Sequence, residues 1–379
     1  MARGSISRAL APFVVSVVLV ATPTLGEALA RAAATATLIV PCRPAGEDCW
    51  PAAFTFTPKG GQLFYLERFT GKIHRVLLRT GRDRVWGDVG DPAGGSEQGA
   101  LGIAVDPRWD RKATGRKAKR RRLRNRWVYV FYTATDPVEN RVVRMRKRIG
   151  RAGFVTDHLV TIDINVGTNH NGGPILFGPD RRLYVATGEQ AEPERAQDLG
   201  DPGGKVLRMV RNGSRPRDNP LPGSLALSFG HRNSFGIGFD PLTGRVWQSE
   251  NGPTCEDEVN LTVPGGNYGW GAGSSCPGTS TEGPSPIQPE TSYTPAIVPT
   301  GLTFCVACGL GPDVEGDLLL GVFGAETSIR NLSLDGDRDD VAGEGLLYDH
   351  SSGVVALARR PNGQVFFSDP AGIYRLDPS

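Results

Sequence analysis

Outside its first thirty residues the sequence has no apolar run long enough to cross a bilayer as a helix, which takes about 20 residues. It has no large charge excess either. Lys and Arg number 43 against 40 Asp and Glu, and 39% of the residues are apolar or aromatic. A disordered chain would show the opposite, low hydrophobicity with high net charge. The 50 glycines have no three-residue period, which excludes collagen. With 29 prolines beside them a helical bundle is disfavoured, because inside a helix Gly costs about 1 and Pro about 3 kcal/mol. Acid is missing altogether from residues 111–126, which carry ten Lys and Arg. Since the net charge is only +3, the rest of the chain is net negative. A basic face for nucleic acid is therefore not indicated. The basic stretch reads as a solvated hairpin tip, or as a patch that docks on an anionic surface and weakens with salt.

The N-terminus has the form of a secretory signal. Arg3 and Arg8 precede the apolar residues 9–20, and Ala28-Leu29-Ala30 is a small-residue cleavage site. Residues 1–30 are assigned to that signal, with a retained anchor as the alternative. Residues 31–379 are assigned to the mature chain, exported to the periplasm or beyond, with no membrane span once the signal is gone. Six cysteines in an exported chain suggest disulfides. Proximity favours Cys42–Cys49, Cys255–Cys276 and Cys305–Cys308. Zinc at Cys305-Val-Ala-Cys308 would need a second pair of ligands nearby, and the sequence shows none.

A weak repeat organises the rest. A short alternating apolar run leads through a Gly or Pro turn to a second apolar strand and then to a third. The copies begin at 54–58, 101–107, 174–179, 235–241, 300–304 and 354–361. Period-two alternation with Gly and Pro punctuation is the strand signal. One such sheet cannot bury both faces, but sheets packed radially can. The fold class read from this is all-β, a six-bladed β-propeller in a single domain, with a sandwich or pair of barrels as the alternative. The basic insert falls between two strands of the second unit. Residues 271–299, rich in Pro, Ser, Thr and Gly, read as a loop held by Cys276.

Propeller chemistry usually lies at one end of the central channel, so polar clusters next to the core strands were sought. Asn169-His170-Asn171-Gly172-Gly173 precedes the third unit, and Gly188-Glu189-Gln190 follows its hairpin. The hairpin brings His170 and Glu189 to the same end. An imidazole suits proton removal near neutral pH, and a carboxylate beside it fixes its tautomer. Gly230-His231-Arg232-Asn233 offers a guanidinium, either as a structural ion pair between blades or as a group facing the channel. Glu250-Asn251-Gly252-Pro253, Asp257-Glu258 and Gly266-Asn267-Tyr268-Gly269-Trp270 supply the carboxylates and carbonyls that calcium takes, although the spacing is not an EF-hand.

In this order the three segments resemble the soluble glucose/sorbosone dehydrogenase family, six-bladed propellers that use pyrroloquinoline quinone (PQQ) and calcium. The resemblance runs from about Phe54 to Leu376 and is densest from His170 to Trp270. Glu97-Gln98-Gly99-Ala100-Leu101-Gly102-Ile103-Ala104 matches the family's second-blade signature. The resemblance implies that His170 is the base for the sugar's anomeric hydroxyl and that Glu189 orients it. It implies that Arg232 and Asn233 touch the quinone and that Glu97 lines its pocket. It places the Gly252 and Pro253 carbonyls on an active-site calcium, and Asp257, Glu258 and Tyr268 in a second calcium region.

The chain also departs from the family. PQQ is a tricarboxylate, which family members hold with a fifth-blade Lys and a sixth-blade Arg pair. Here no Lys follows Lys205, and the sixth-blade counterpart reads Gly353-Val354-Val355-Ala356. Each cation lost from a buried charge pair costs about 3–5 kcal/mol, or two to three decades of affinity. The leading expectation is an exported oxidoreductase that oxidises an aldose or related alcohol with PQQ and calcium and passes electrons to an external acceptor. The alternatives are a non-catalytic calcium-binding propeller for carbohydrate or protein, and a calcium-dependent lactonase-like hydrolase.

Overall fold

A computed structural model describes residues 34–42, 49–111 and 125–379. The expected signal at 1–30 and most of the basic insert lie outside the described residues. The described chain forms 24 strands in six four-stranded antiparallel sheets. Strand β1 (Ala34–Pro41) comes first. Blade one is β2 (Pro51–Phe56), β3 (Gln62–Glu67), β4 (Lys72–Leu77) and β5 (Arg82–Asp88). Blade two is β6 (Ala100–Val105), β7 (Val128–Thr135), β8 (Val138–Lys147) and β9 (Phe154–Asp163). Blade three is β10 (Gly172–Phe177), β11 (Leu183–Thr187), β12 (Lys205–Met209) and β13 (Ala226–Phe229). Blade four is β14 (Ser234–Phe239), β15 (Val246–Glu250), β16 (Asp257–Thr262) and β17 (Thr291–Tyr293). Blade five is β18 (Pro299–Phe304), β19 (Leu318–Val322), β20 (Ser328–Leu334) and β21 (Val341–Asp349). Blade six is β22 (Ala356–Arg359), β23 (Val365–Asp369) and β24 (Gly372–Pro378), completed by β1. The fold is the expected six-bladed β-propeller.

Blade six joins the two ends of the described chain. β1 pairs with β24 from Ala34 opposite Pro378 to Pro41 opposite Gly372. A closed ring leaves no long free sheet edge. Neighbouring blades share their cores. Phe64 and Trp86 of blade one pack with Ile103 and Val130 of blade two around the buried Trp109, and the Phe64 and Trp109 rings lie 5.0 Å apart. Burying one such side chain is worth about 1.5–3 kcal/mol, so the seams between blades hold the ring together.

At the axis the inner strands crowd. A Cβ on Gly102 would stand 2.0 Å from the Gly173 carbonyl oxygen, and one on Gly236 would stand 2.3 Å from that of Thr300. Only glycine allows that approach. Five inner strands also shift register against their second strands close to where they start. Such bulges re-aim side chains and favour functional ends of sheets. We call this end, where the inner strands begin, the mouth. A cavity of about 620 Å³ runs along all six inner strands.

All three expected disulfides are present: Cys42–Cys49, Cys255–Cys276 and Cys305–Cys308. Among the described residues, the one compact metal-ligating trio is Cys305, Cys308 and Glu315, and its two sulfurs are spent on the last disulfide. Two expectations need revision. Residues 271–299 are not wholly loop, because β17 pairs there with Asp257–Val259 and β18 begins at Pro299. Each blade also has a fourth strand, where the repeat had shown three. No helix among the described residues is long and apolar enough to cross a membrane.

Candidate active site

Two kinds of loop build the mouth: those that lead into an inner strand, and those that follow a second strand. His170 lies on the approach to β10 and Glu189 just after β11. His170 Nδ1 lies 2.8 and 2.9 Å from the two carboxylate oxygens of Glu189. Glu189 is buried and also accepts the Ala191 amide at 2.7 Å. A carboxylate so placed holds the proton on Nδ1 and leaves Nε2 as an acceptor. Nε2 has no protein hydrogen bond among the described residues, and 15% of the side chain is exposed, so a ligand can reach it.

The His170 backbone is held in the left-handed region at φ 57°. Its amide donates to Glu97 Oε2 at 2.8 Å, and its carbonyl accepts the Gln190 amide at 3.1 Å. Asn140, buried in blade two, donates to Asn171 at 3.0 Å and to Gln190 at 2.7 Å. A left-handed non-glycine residue costs about 1–3 kcal/mol and persists only where its surroundings over-determine it. These bonds supply that constraint.

Arg232 approaches β14. Its Nη1 donates to the carbonyls of Asn251 at 2.7 Å and Gly252 at 2.9 Å. The guanidinium sits 5.3 Å from the Trp270 ring, and its buried Nε has no partner among the described residues. Burial lowers its pKa, while the charges of Glu189, Glu250, Glu97 and Asp257 work the other way. Beneath it, His231 stacks on Tyr268 and bonds Glu250 at 2.9 Å and Ser228 at 2.8 Å.

The other expected residues divide between cavity and frame. Glu97 lines the cavity with Asn251, while His170 and Arg232 stand beside it rather than in its wall. Asn233 is buried with both ends of its amide in use, donating to Glu97 at 3.0 Å and accepting the Gly172 amide at 3.2 Å. In this structure it acts as a brace between blades. Asp257 accepts the amides of Gly252 at 2.8 Å, Ile297 at 2.6 Å and Val298 at 2.7 Å, so it too ties loops together. The Tyr268 hydroxyl is taken up by the Leu261 carbonyl and the Val263 amide.

A cation fits best at Glu258, which lies directly across the strands from Glu250. Burial, and then the Glu250 charge, push Glu258 up to about 8. Beside it, Asn260 donates to Glu258 at 3.0 Å, but its own Oδ1 is buried without a donor. Carboxylates facing each other with a spare carbonyl are a calcium-type donor set. At Gly252 a cation would have to share the carbonyl with Arg232.

Three mouth residues carried no sequence signal: Trp50, Arg68 and Phe323. Arg68 sits in the loop after β3, the counterpart of the Glu189 loop in blade three. Aligning the blades loop by loop is the signal that would have found it.

The glucose/sorbosone dehydrogenase family model matches residues 49–372. An uncharacterized protein of Synechocystis is 32% identical over 273 residues, which are 63% of this chain and 61% of that protein. Quinoprotein glucose dehydrogenase B of Acinetobacter calcoaceticus is 30% identical over 255 residues, 58% of this chain and 50% of that one. The aligned stretch thus spans between half and three-fifths of these two relatives. The PQQ-bound aldose sugar dehydrogenase of Streptomyces coelicolor superposes with a TM-score of 0.72 at 26% identity, over 92% of this chain and 99% of that one. From the match along most of its length, the chain belongs to the glucose/sorbosone dehydrogenase family.

Proposed function

We propose that the protein is an exported quinone-dependent dehydrogenase that oxidises the hydroxyl carbon of an aldose or related alcohol. PQQ, when bound, supplies the hydride acceptor, and calcium, when bound, supplies Lewis acidity. His170 Nε2 takes the hydroxyl proton. Glu189 holds the imidazole in the tautomer that can take it and offsets the charge that results. Arg232 offers an anion-binding guanidinium beside the cavity, and Glu97 fixes the His170 loop from the cavity wall. The Gly252 and Pro253 carbonyls would hold the mouth calcium, and Glu258 with its neighbours the second. Electrons leave to an external acceptor.

One observation carries this reading: a partly exposed imidazole held by a buried carboxylate, with a guanidinium nearby whose Nε has no partner among the described residues. The quinone fits on the same grounds, because the buried Arg232 Nε lacks an acceptor beside a cavity of about 620 Å³. The signal-like N-terminus and three disulfides support export.

The test is reconstitution with PQQ and calcium, followed by dye reduction with a panel of aldoses. Turnover that His170→Ala abolishes supports the proposal. No quinone binding at tens of micromolar removes it. A second reading, a calcium-dependent propeller that binds sugar without turnover, draws on the lack of charged cavity residues from blades five and six at the mouth. Lactone hydrolysis without quinone would instead favour a hydrolase.

A further inference from the structure

The charge at the mouth is not confined to Arg232. Arg68, from the loop after β3, lines the cavity beside Trp50 and Phe323. Its guanidinium lies 5.2 Å from the Trp50 ring and 4.9 Å from the Phe69 ring. Nε donates to the Gln98 carbonyl at 3.0 Å and Nη2 to the Ser96 carbonyl at 2.5 Å. These two carbonyls flank Glu97 in the chain, so Arg68 grips the loop that carries it. The backbone is pinned as well. Arg68 donates its amide to Trp50 at 3.0 Å and accepts that of Ala100 at 2.8 Å. A Cβ on Gly99 would stand 2.6 Å from Arg68 Cγ.

A guanidinium so fixed loses little entropy when it binds an anion. Its anion is missing from the protein. Among the described residues no carboxylate comes within 4.0 Å of Arg68, and Nη1 has no hydrogen bond. Burial lowers its pKa, and the more distant Glu97 only partly compensates. Arg232 repeats the pattern across the mouth: half-buried, with its guanidinium resting on an indole and, among the described residues, without a carboxylate within 4.0 Å. Glu97 acts electrostatically on both guanidiniums.

We infer that Arg68, seated on Trp50, is a second anion subsite of the mouth and binds a carboxylate of the planar quinone. The indole and Phe323, whose rings lie 6.2 Å apart at 26°, give that side of the cavity an apolar lining. This inference rests on the quinone reading above. It supplies a cation from blade one on a rim where blades five and six give none.

The test is titration of PQQ into the calcium-loaded protein, followed by tryptophan fluorescence, with wild type, Arg68→Gln and Arg68→Lys. The trimethyl ester of PQQ serves as a ligand without carboxylate charge. Arg68→Gln should bind PQQ at least about 10-fold more weakly, because a charge-assisted hydrogen bond is lost. Arg68→Lys should recover most of that loss. Lysine cannot grip both the Ser96 and Gln98 carbonyls, so a role confined to holding the loop would leave it as weak as glutamine. The ester should bind wild type and Arg68→Gln alike. Wild type that binds PQQ no better than its ester overturns the inference even if Arg68→Gln does not fold. So does Arg68→Gln that binds PQQ within twofold of wild type, and both of these results leave the quinone reading standing. Wild type that binds no PQQ removes that reading, and this inference with it.

Discussion

At the mouth, blades two to four present Glu97, His170, Glu189, Arg232 and Asn251, whereas blades five and six line the cavity there with Val298, Phe323 and Val355. Both halves grow from the same repeat, and β18 carries the same kind of bulge as β10 and β14. The strands therefore do not decide where the chemistry sits. The loops do. On the polar half, hydrogen bonds cross the seams between blades, from His170 and Asn233 to Glu97, and Arg232 ties the approach of blade four to its own Asn251 loop. On the other half hydrogen bonds cross the seam without a charged side chain, from the Thr300 hydroxyl to the Val354 carbonyl at 2.6 Å, and Trp50 of the blade-one approach packs on Phe323. One half is pre-organised around protons and charge, and the other offers an apolar lining.

Removing the base from the polar half should have the largest effect. His170→Ala should lower turnover about 10²- to 10⁴-fold, the usual contribution of a positioned base. Quinone binding should stay within twofold, measured on the same preparation by fluorescence. Glu189→Gln keeps the size but removes the charge that orients His170. It should lose about 10- to 100-fold in turnover, and Glu189→Asp should lose less.

The apolar half can be altered instead. Val355→Arg places a cation at the mouth end of the blade-six wall, whose one cation among the described lining residues, Arg359, lies at the far end of the strand. It should tighten PQQ about 10-fold, the scale of one favourable charge contact. Unchanged affinity would show that this wall does not meet a carboxylate.

Calcium should act on the polar half through stability. Chelation should lower Tm by a few degrees, because a ligand bound only by the folded state stabilises it. In Glu258→Gln the difference between calcium and chelator should shrink.

The smallest effect lies away from the mouth. His74 Nδ1 lies 3.1 Å from Asp83 and Nε2 3.0 Å from Glu67. Burial disfavours its charge, but the bonds to Asp83 and Glu67 outweigh this and raise it to about 9. A raised histidine pKa favours the folded state below the unfolded value near 6.5, and the gain is lost as pH rises through about 9. Wild type should therefore lose Tm relative to His74→Asn between pH 7 and 10, with no change in quinone affinity.

Much of the ring was legible in the sequence because alternation and Gly or Pro turns are local signals. The outer strands were not. Residues 82–85 of β5 are exposed, and β9 is exposed or half-buried but for Ile162, so neither shows a clean apolar stripe. β1 pairs with residues more than 330 positions away, so nothing near it marks it as a blade. At the site, His170 and Glu189 were readable because one hairpin joins them. Asn233 and Asp257 have the side chains of ligands, and in the structure they also hydrogen-bond neighbouring loops, which their place in the sequence does not reveal. Arg68 carries no sequence signal, and its position matters only once the blades stand side by side.

On this reading the polar half of the mouth moves a proton from the substrate while a bound quinone is reduced. Anaerobic mixing of calcium- and PQQ-loaded protein with an aldose, followed by the absorbance of the cofactor, tests it most directly. Wild type should reduce the quinone in a single turnover, and His170→Ala with PQQ equally bound should not on that timescale. Equal rates in the two proteins, or a wild type that takes up no quinone, would contradict it.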